Sequence, residues 1–187
     1  MKKIMIAFAV AAVAAFAQAA MVDWSLSSKN TILTHSGGDG AGIAIYLLNT
    51  AGTDYAKTVA GLADGTVNAG NITSQGSYLG TGTTGTSGAK LGKASGSVNV
   101  ATAGVDYSMV FVYFENDGGK DYYYMSAAST GTSYDGSDTY PTGTAAKWMA
   151  SDYAASNWHE ATAVPEPTSG LLMLLGLAGL ALKRKRA

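Results

Sequence analysis

Aromatic side chains are the residues of this sequence whose type and spacing could do chemistry at a surface. Tyr122, Tyr123 and Tyr124 stand in a row, and successive strand residues alternate between faces, so at least one ring points each way. Most such rings belong in a buried core. An exposed ring could instead stack on a sugar, because its flat apolar face matches the face of a pyranose. The candidate glycan contacts are Tyr122, Trp148 and Trp158, with Tyr153 as a further candidate.

Residues that often catalyse reactions form no catalytic pattern here. His35 and His159 are the only two histidines, and neither has a second ligand at zinc-site spacing, so both are interpreted as ordinary surface or packing residues. The segment from Gly80 to Gly85 satisfies GxGxxG, but Thr-Ser-Gly-Ala follows where a helix would have to open, which favours a glycine-rich turn. The pair Gly92-Lys93 lacks the flanking residues of a phosphate loop. We predict no catalytic residue, no metal and no cofactor.

Two loose groups of carboxylates leave one alternative open. Asp117 and Asp121 are close in sequence, as are Asp135 and Asp138. Calcium prefers such oxygen ligands, although the twelve-residue loop of a helical calcium site is missing. Nothing fixes the separation that a paired-acid glycosidase needs, so a secreted glycan-active enzyme is the weakest hypothesis. Solvated acids in turns are the favoured interpretation.

The N-terminus has the three parts of a secretory signal peptide. Lys2 and Lys3 precede the apolar run Ile4–Phe16, and Ala17 and Ala19 place small residues before a cleavage point at Ala20. Residues 1–19 are therefore predicted to be a signal peptide in a helix, recognised by the Sec translocon and removed by signal peptidase. The remainder of the chain works outside the cytoplasm.

The C-terminus has the three parts of a second targeting signal. Pro165-Glu166-Pro167 fixes an extended stretch, and Gly170–Leu182 follows as an apolar segment that spans about 20 Å as a helix, short of a bilayer core of roughly 30 Å. The basic residues that close it stay cytoplasmic and orient the rest outward. They are Lys183, Arg184, Lys185 and Arg186.

Residues 164–187 closely resemble the PEP-CTERM sorting domain of Gram-negative bacteria, in the order and spacing of all three parts. The resemblance implies export, transient anchoring of a transmembrane helix in the inner membrane, and processing at Pro165-Glu166-Pro167 by an exosortase. It further implies a cell-surface or extracellular location in organisms that make exopolysaccharide. A plain C-terminal membrane anchor is the alternative.

The exported domain, residues 20–163, is acidic. Residues 20–164 hold 6 lysines, no arginine and 12 acidic residues, a net charge of −6, so no basic surface exists to bind nucleic acid. Cysteine is absent, which leaves the fold to be held by its own core.

Hydrophobic patterning predicts an all-β domain. Tyr107–Phe114 is apolar on both alternating sets, typical of a central strand, and Asp121–Ala127 returns after a turn as its hairpin partner. Ile43–Leu48 is a further strand with Thr31–Thr34 as its partner, and Asp54–Ala63 reads as a short helix with Asp54 as N-cap and Gly65 past its end. The Gly/Ser/Thr-rich segment 65–104 is either disordered or, as we favour, a set of short strands.

The prediction is a β-sandwich (jelly-roll-like) of seven to nine short strands with one or two short helices. Its function is that of a non-enzymatic, exosortase-sorted surface or extracellular-matrix protein associated with exopolysaccharide. The alternative is a carbohydrate-binding module or adhesin that uses the exposed aromatic residues.

The two targeting signals predict the first and last residues of the mature protein. Mass spectrometry of the protein recovered from its host, in envelope and medium fractions, should find a first residue near Ala20 and a last residue near Pro165. A membrane-bound chain that still ends at Ala187 would contradict exosortase processing and leave a permanent anchor.

Overall fold

A computed structural model describes residues 19–26, 34–137, 142–149 and 155–162. The predicted signal helix, the sorting signal and the C-terminal transmembrane helix lie outside these residues, as does nearly all of the predicted strand Thr31–Thr34. Within the described residues, no helix is long and apolar enough to cross a membrane.

The described part of the chain forms ten strands and one α-helix. Helix α1 covers Thr53–Ala63, and short 3-10 turns occur at Ile72–Ser74, Gly88–Lys90 and Ala155–Asn157. The strands are β1 Ala20–Leu26, β2 Ala44–Asn49, β3 Tyr78–Thr83, β4 Ala94–Val100, β5 Asp106–Asp117, β6 Lys120–Met125, β7 Ser129–Thr132, β8 Tyr134–Asp135, β9 Ala146–Trp148 and β10 Trp158–Glu160.

The strands divide into two sheets. The smaller has the order β4-β1-β8, with β9 pairing parallel to β1, and the larger has the order β10-β6-β5-β2-β3, with β7 pairing β5. The prediction of a mostly β protein with two sheets and a short helix is confirmed at this level. The more specific jelly-roll comparison stays a prediction.

Two apolar clusters hold these layers together. The first lies between the sheets and joins Val22, Trp24 and Leu26 of β1 to side chains of β2, β5 and β6. The second lies on the opposite face of the larger sheet, where Leu62 of α1 and the nearby Ile72 pack on β2, β5 and β6. The larger sheet is therefore covered on both faces, as the patterning of β5 predicted.

The β5–β6 hairpin matches its prediction closely. The strands pair antiparallel from Val112 opposite Met125 to Asp117 opposite Lys120. Gly118 and Gly119 form the turn with φ of 61° and 82°, a left-handed conformation that glycine adopts without steric cost.

Helix α1 is confirmed, but its predicted N-cap is wrong. Gly52 occupies the cap position and no side chain caps the helix, while Asp54 lies in the first turn and pairs with Lys57 at 3.2 Å. A carboxylate in the first turn still interacts favourably with the positive end of the helix dipole. Gly65 follows the helix with φ of 77°, as expected for a residue just past its end.

Sequence reasoning missed β1. Its side chains alternate strictly between buried and half-buried, with Ala20, Val22, Trp24 and Leu26 inside. The sequence of β1 carries a period-2 signal, but the strand is short and starts directly at the predicted cleavage point, where no turn residues mark its beginning.

The glycine-rich segment 65–104 is described throughout and contains β3 and β4, in agreement with the favoured alternative of short strands. Its GxGxxG glycines make room for neighbouring side chains. A Cβ on Gly80 would come within 2.5 Å of Val98, and one on Gly82 would collide with the indole of Trp24. The motif therefore reflects close packing between the two sheets.

Gly82→Ala tests this packing. The added methyl must displace Trp24, so we expect a loss of about 1–3 kcal/mol in the free energy of unfolding, measured by urea denaturation of the processed protein. Trp24→Phe removes the obstructing ring carbons, so the same glycine substitution should cost less in that background. Thr83→Ala, exposed on the same strand, is the control and should stay within about 0.5 kcal/mol. Equal losses in both backgrounds would contradict this account.

Candidate functional site

The candidate site lies where β5, β6 and β10 run side by side. Strand pairing aligns Tyr113, Tyr124 and Trp158 across the sheet, on the face that packs against the smaller sheet. Because side chains two residues apart share a face, the adjacent row carries Glu115, Tyr122 and Glu160 toward the same side. The aromatic row is anchored in the core, and the next row is more exposed.

Three rings meet at this edge and form what we call the aromatic cluster: His35, Tyr122 and Trp158. The His35 imidazole stacks on Tyr122 with ring centroids 3.8 Å apart and an angle of 15° between planes. Trp158 meets His35 edge-on at 5.6 Å and Tyr113 edge-on at 5.0 Å. The two edge-on contacts of Trp158 have a geometry that aromatic pairs prefer.

Two carboxylates of β5 hold His35 in place. Glu115 accepts hydrogen bonds from the backbone N–H of His35 and Ser36 and, at 2.7 Å, from the Ser36 hydroxyl. The Asp117 carboxylate lies 2.9 Å from Nδ1 of His35. A segment distant in sequence is thus fixed over the end of the hairpin by several charge-assisted hydrogen bonds, which are stronger than neutral ones.

The remaining charges near the cluster also have partners. Lys120 pairs with Glu160 at 3.0 Å. The hydrogen bond to the Glu160 carboxylate and, as a smaller effect, the negative charge of that carboxylate raise the pKa of Lys120. Asn116 donates to Asp121 at 2.7 Å. Asp117 and Asp121, which are close in sequence, therefore have separate partners, His35 and Asn116.

The other sequence group of acids is only partly described. Hydrogen bonds from the backbone and hydroxyl of Ser137 lower the pKa of Asp135. Asp138 lies outside the described residues. Among the described residues, no group of three or more potential metal ligands occurs, so calcium binding stays an untested alternative.

This arrangement can bind a flat apolar face between polar groups. Trp158 and Tyr122 are half-buried, and hydroxyl, carboxylate and ammonium groups surround them. His35 already occupies one face of the Tyr122 ring, so a ligand would use the outer edge of the cluster or replace the imidazole.

The structure brings together two of the predicted glycan contacts and corrects the third. Tyr122 and Trp158 both belong to the aromatic cluster. Trp148 is only 1 % exposed, packs edge-on against Phe111 at 5.3 Å and donates from Nε1 to the Ala127 carbonyl, so its predicted place on an exposed surface is wrong. Its indole fills the space between the sheets. Tyr153 lies outside the described residues.

Sequence reasoning also missed His35 as a partner of Tyr122. The two residues are far apart in the chain, and no local spacing signals that they meet. Only the pairing of His35 and Ser36 with Glu115 and Asp117, across about eighty residues, brings them together.

Comparison with known proteins identifies the C-terminal segment. Residues 163–186 match the family model described as the PEP-CTERM protein-sorting motif. The chain carries a PEP-CTERM sorting motif. This motif implies an exported protein that is transiently anchored in the membrane and sorted by an exosortase toward the surface. Comparisons with curated proteins and with solved structures give no match.

The three predicted parts of this PEP-CTERM signal lie inside the matched residues. They and Ala17 of the predicted signal peptide are outside the described residues, whereas Ala19 is exposed and Ala20 is the buried first residue of β1.

Glu115→Gln tests how the aromatic cluster is assembled in this protein. Losing the charge weakens the bonds to the His35 and Ser36 amides, so NMR hydrogen exchange of these two amides should accelerate roughly tenfold. Glu160→Gln makes the same charge change on the same face without touching this segment, and should leave both amides unchanged. Unaltered exchange in Glu115→Gln would show that other contacts hold the segment.

Proposed function

We propose that this chain is a non-enzymatic surface or extracellular-matrix protein, released by an exosortase and associated with exopolysaccharide. The PEP-CTERM motif at residues 163–186 carries this proposal. In this scheme the Sec translocon exports the chain, signal peptidase cuts before Ala20, and processing at Pro165-Glu166-Pro167 releases the β domain from the inner membrane.

The position of the strands supports release as an intact unit. β1 begins at Ala20, so the proposed first cut removes none of it. At the other end the backbone N–H groups of Ala161 and Thr162 bond to the carbonyls of Asp121 and Ala63. Both proposed cuts therefore fall outside every strand and hydrogen bond described here.

Carbohydrate binding is the second candidate function, and the aromatic cluster favours it. Tyr122 and Trp158 lie on one edge of the larger sheet, where Trp158 contacts the core through Tyr113 and Tyr124. A rigid aromatic platform loses little conformational entropy when a sugar stacks on it. Nearby carboxylates and the Ser36 hydroxyl could exchange hydrogen bonds with sugar hydroxyls.

Retention on the host exopolysaccharide tests both candidates. The processed protein should be retained, Tyr122→Ala and Trp158→Ala should weaken binding roughly tenfold each, and Tyr78→Ala, a half-buried tyrosine near the opposite edge of the same sheet, should bind like the parent. Urea denaturation of each variant checks that the fold is kept.

The two candidates fail differently. A parent protein that is not retained would contradict exopolysaccharide association. Retention that neither aromatic variant reduces would place the contact elsewhere and contradict the carbohydrate-binding cluster. Turnover of the polysaccharide by the purified protein would contradict a non-enzymatic role.

A further inference from the structure

We infer that a pocket near β3, at the edge of the larger sheet opposite β10, binds the carboxylate groups of an acidic polysaccharide. This pocket, which we call the lysine pocket, has a volume of about 460 Å³ and lies between the ends of β1, β3 and β4 and the loop 84–93. Two lysines and three hydroxyl side chains line it: Lys90, Lys93, Ser25, Thr83 and Ser95.

The loop that carries the two lysines is held in one shape by its own backbone. Gly85 N–H donates to the Lys93 carbonyl at 2.9 Å, and Gly92 N–H donates to the Gly85 carbonyl at 3.1 Å. Lys93 N–H donates to the Lys90 carbonyl at 3.0 Å, which fixes the two lysines relative to each other. Gly88 and Gly92 make the turns, with φ of 57° and 64°. The backbone positions of both lysines are therefore set before any ligand binds.

No acidic residue lines the lysine pocket, and of the other described lysines Lys147 alone also has no carboxylate partner. Lys57 and Lys120 are each paired with a carboxylate. Lys90 and Lys93 have no carboxylate partner within the described part of the chain, although acids outnumber lysines two to one between residues 20 and 164. Because both lysines line the same pocket, one anion bound there can interact with both ammonium groups.

The hydroxyl groups point to the chemistry of the anion. Within the described residues, the hydroxyls of Ser25, Thr83 and Ser95 have no hydrogen-bond partner. A uronate ring offers a carboxylate for the ammonium groups and hydroxyls for these side chains. Leu26 and the half-buried Ala94 also line the pocket, and Ala94 adds an apolar surface beside the hydroxyl groups.

A polysaccharide fits this pocket better than an anionic membrane does. Surface binding to lipid is strengthened by apolar side chains that insert below the headgroups. The large hydrophobic side chains exposed in the described part of the chain are Val105 and Met149, and neither lines the pocket. The net charge of −6 on residues 20–164 also opposes a broad anionic surface, whereas a polymer strand can meet the lysines alone.

This inference deepens the proposed exopolysaccharide association and rests on it for the macromolecular class of the ligand. It specifies that the ligand is negatively charged and that it contacts the domain at a second site, since the aromatic cluster contributes no residue to the lysine pocket. The test therefore uses defined probes instead of the host matrix.

The experiment measures binding of the processed protein to polygalacturonate, to neutral dextran and to phosphatidylglycerol vesicles. We expect polygalacturonate to bind, more weakly as salt rises, and dextran not to bind. Lys90→Gln and Lys93→Gln should each weaken polygalacturonate binding roughly tenfold. Lys147→Gln is the matched control, because it removes the same charge from an exposed lysine of β9 and should change little.

Several results would overturn the lysine pocket. The first two are polygalacturonate binding by the Lys90→Gln/Lys93→Gln protein that equals that of the parent, and a loss of binding in Lys147→Gln as large as in the pocket variants. The others are binding of dextran as strong as that of polygalacturonate, and binding of the vesicles by a protein that does not bind polygalacturonate. The protein could bind polygalacturonate through Lys90 and Lys93 and still not be retained on the host exopolysaccharide. That result would support the lysine pocket and contradict the proposed exopolysaccharide association. Urea denaturation of the variants excludes unfolding as the cause.

Discussion

The two-sided burial of β5 is the constraint on which the other layers depend. Phe111 and Tyr113 enter the cluster between the sheets, while Val110 and Val112, next to them in the chain, enter the cluster beneath α1. A shift of one residue in its pairing would exchange these two sets. The register of β5 with β2 and β6 therefore fixes the sandwich, the helix layer and the positions of Glu115 and Asp117 at once.

Local signals predicted the parts of the fold that depend on neighbouring residues. The β5–β6 hairpin and α1 follow from alternation, helical spacing and turn glycines, and the structure contains both. Trp148 could not be placed in this way, because its burial depends on two sheets whose strands come from distant parts of the chain. The position of His35 could not be predicted for the same reason, since its neighbours lie far from it in the sequence and meet it through tertiary contacts.

The surface of the domain separates two kinds of chemistry. On one side, the end of the β5–β6 hairpin combines aromatic rings with carboxylates that already have partners. Near β3, at the opposite edge of the larger sheet, the loop 84–93 presents two ammonium groups that have no carboxylate partner among the described residues.

The place of β1 in the smaller sheet has a consequence for export. β1 is the first strand of the described residues, yet its partners are β4, β8 and β9, and Ala20 pairs with residues as distant as Asp135. If the chain is exported with its N-terminus first, as proposed, β1 stays unpaired until those later strands have followed. Contacts this distant in sequence form slowly. The smaller sheet can therefore be completed only after residues as late as Trp148 are available to pair with β1.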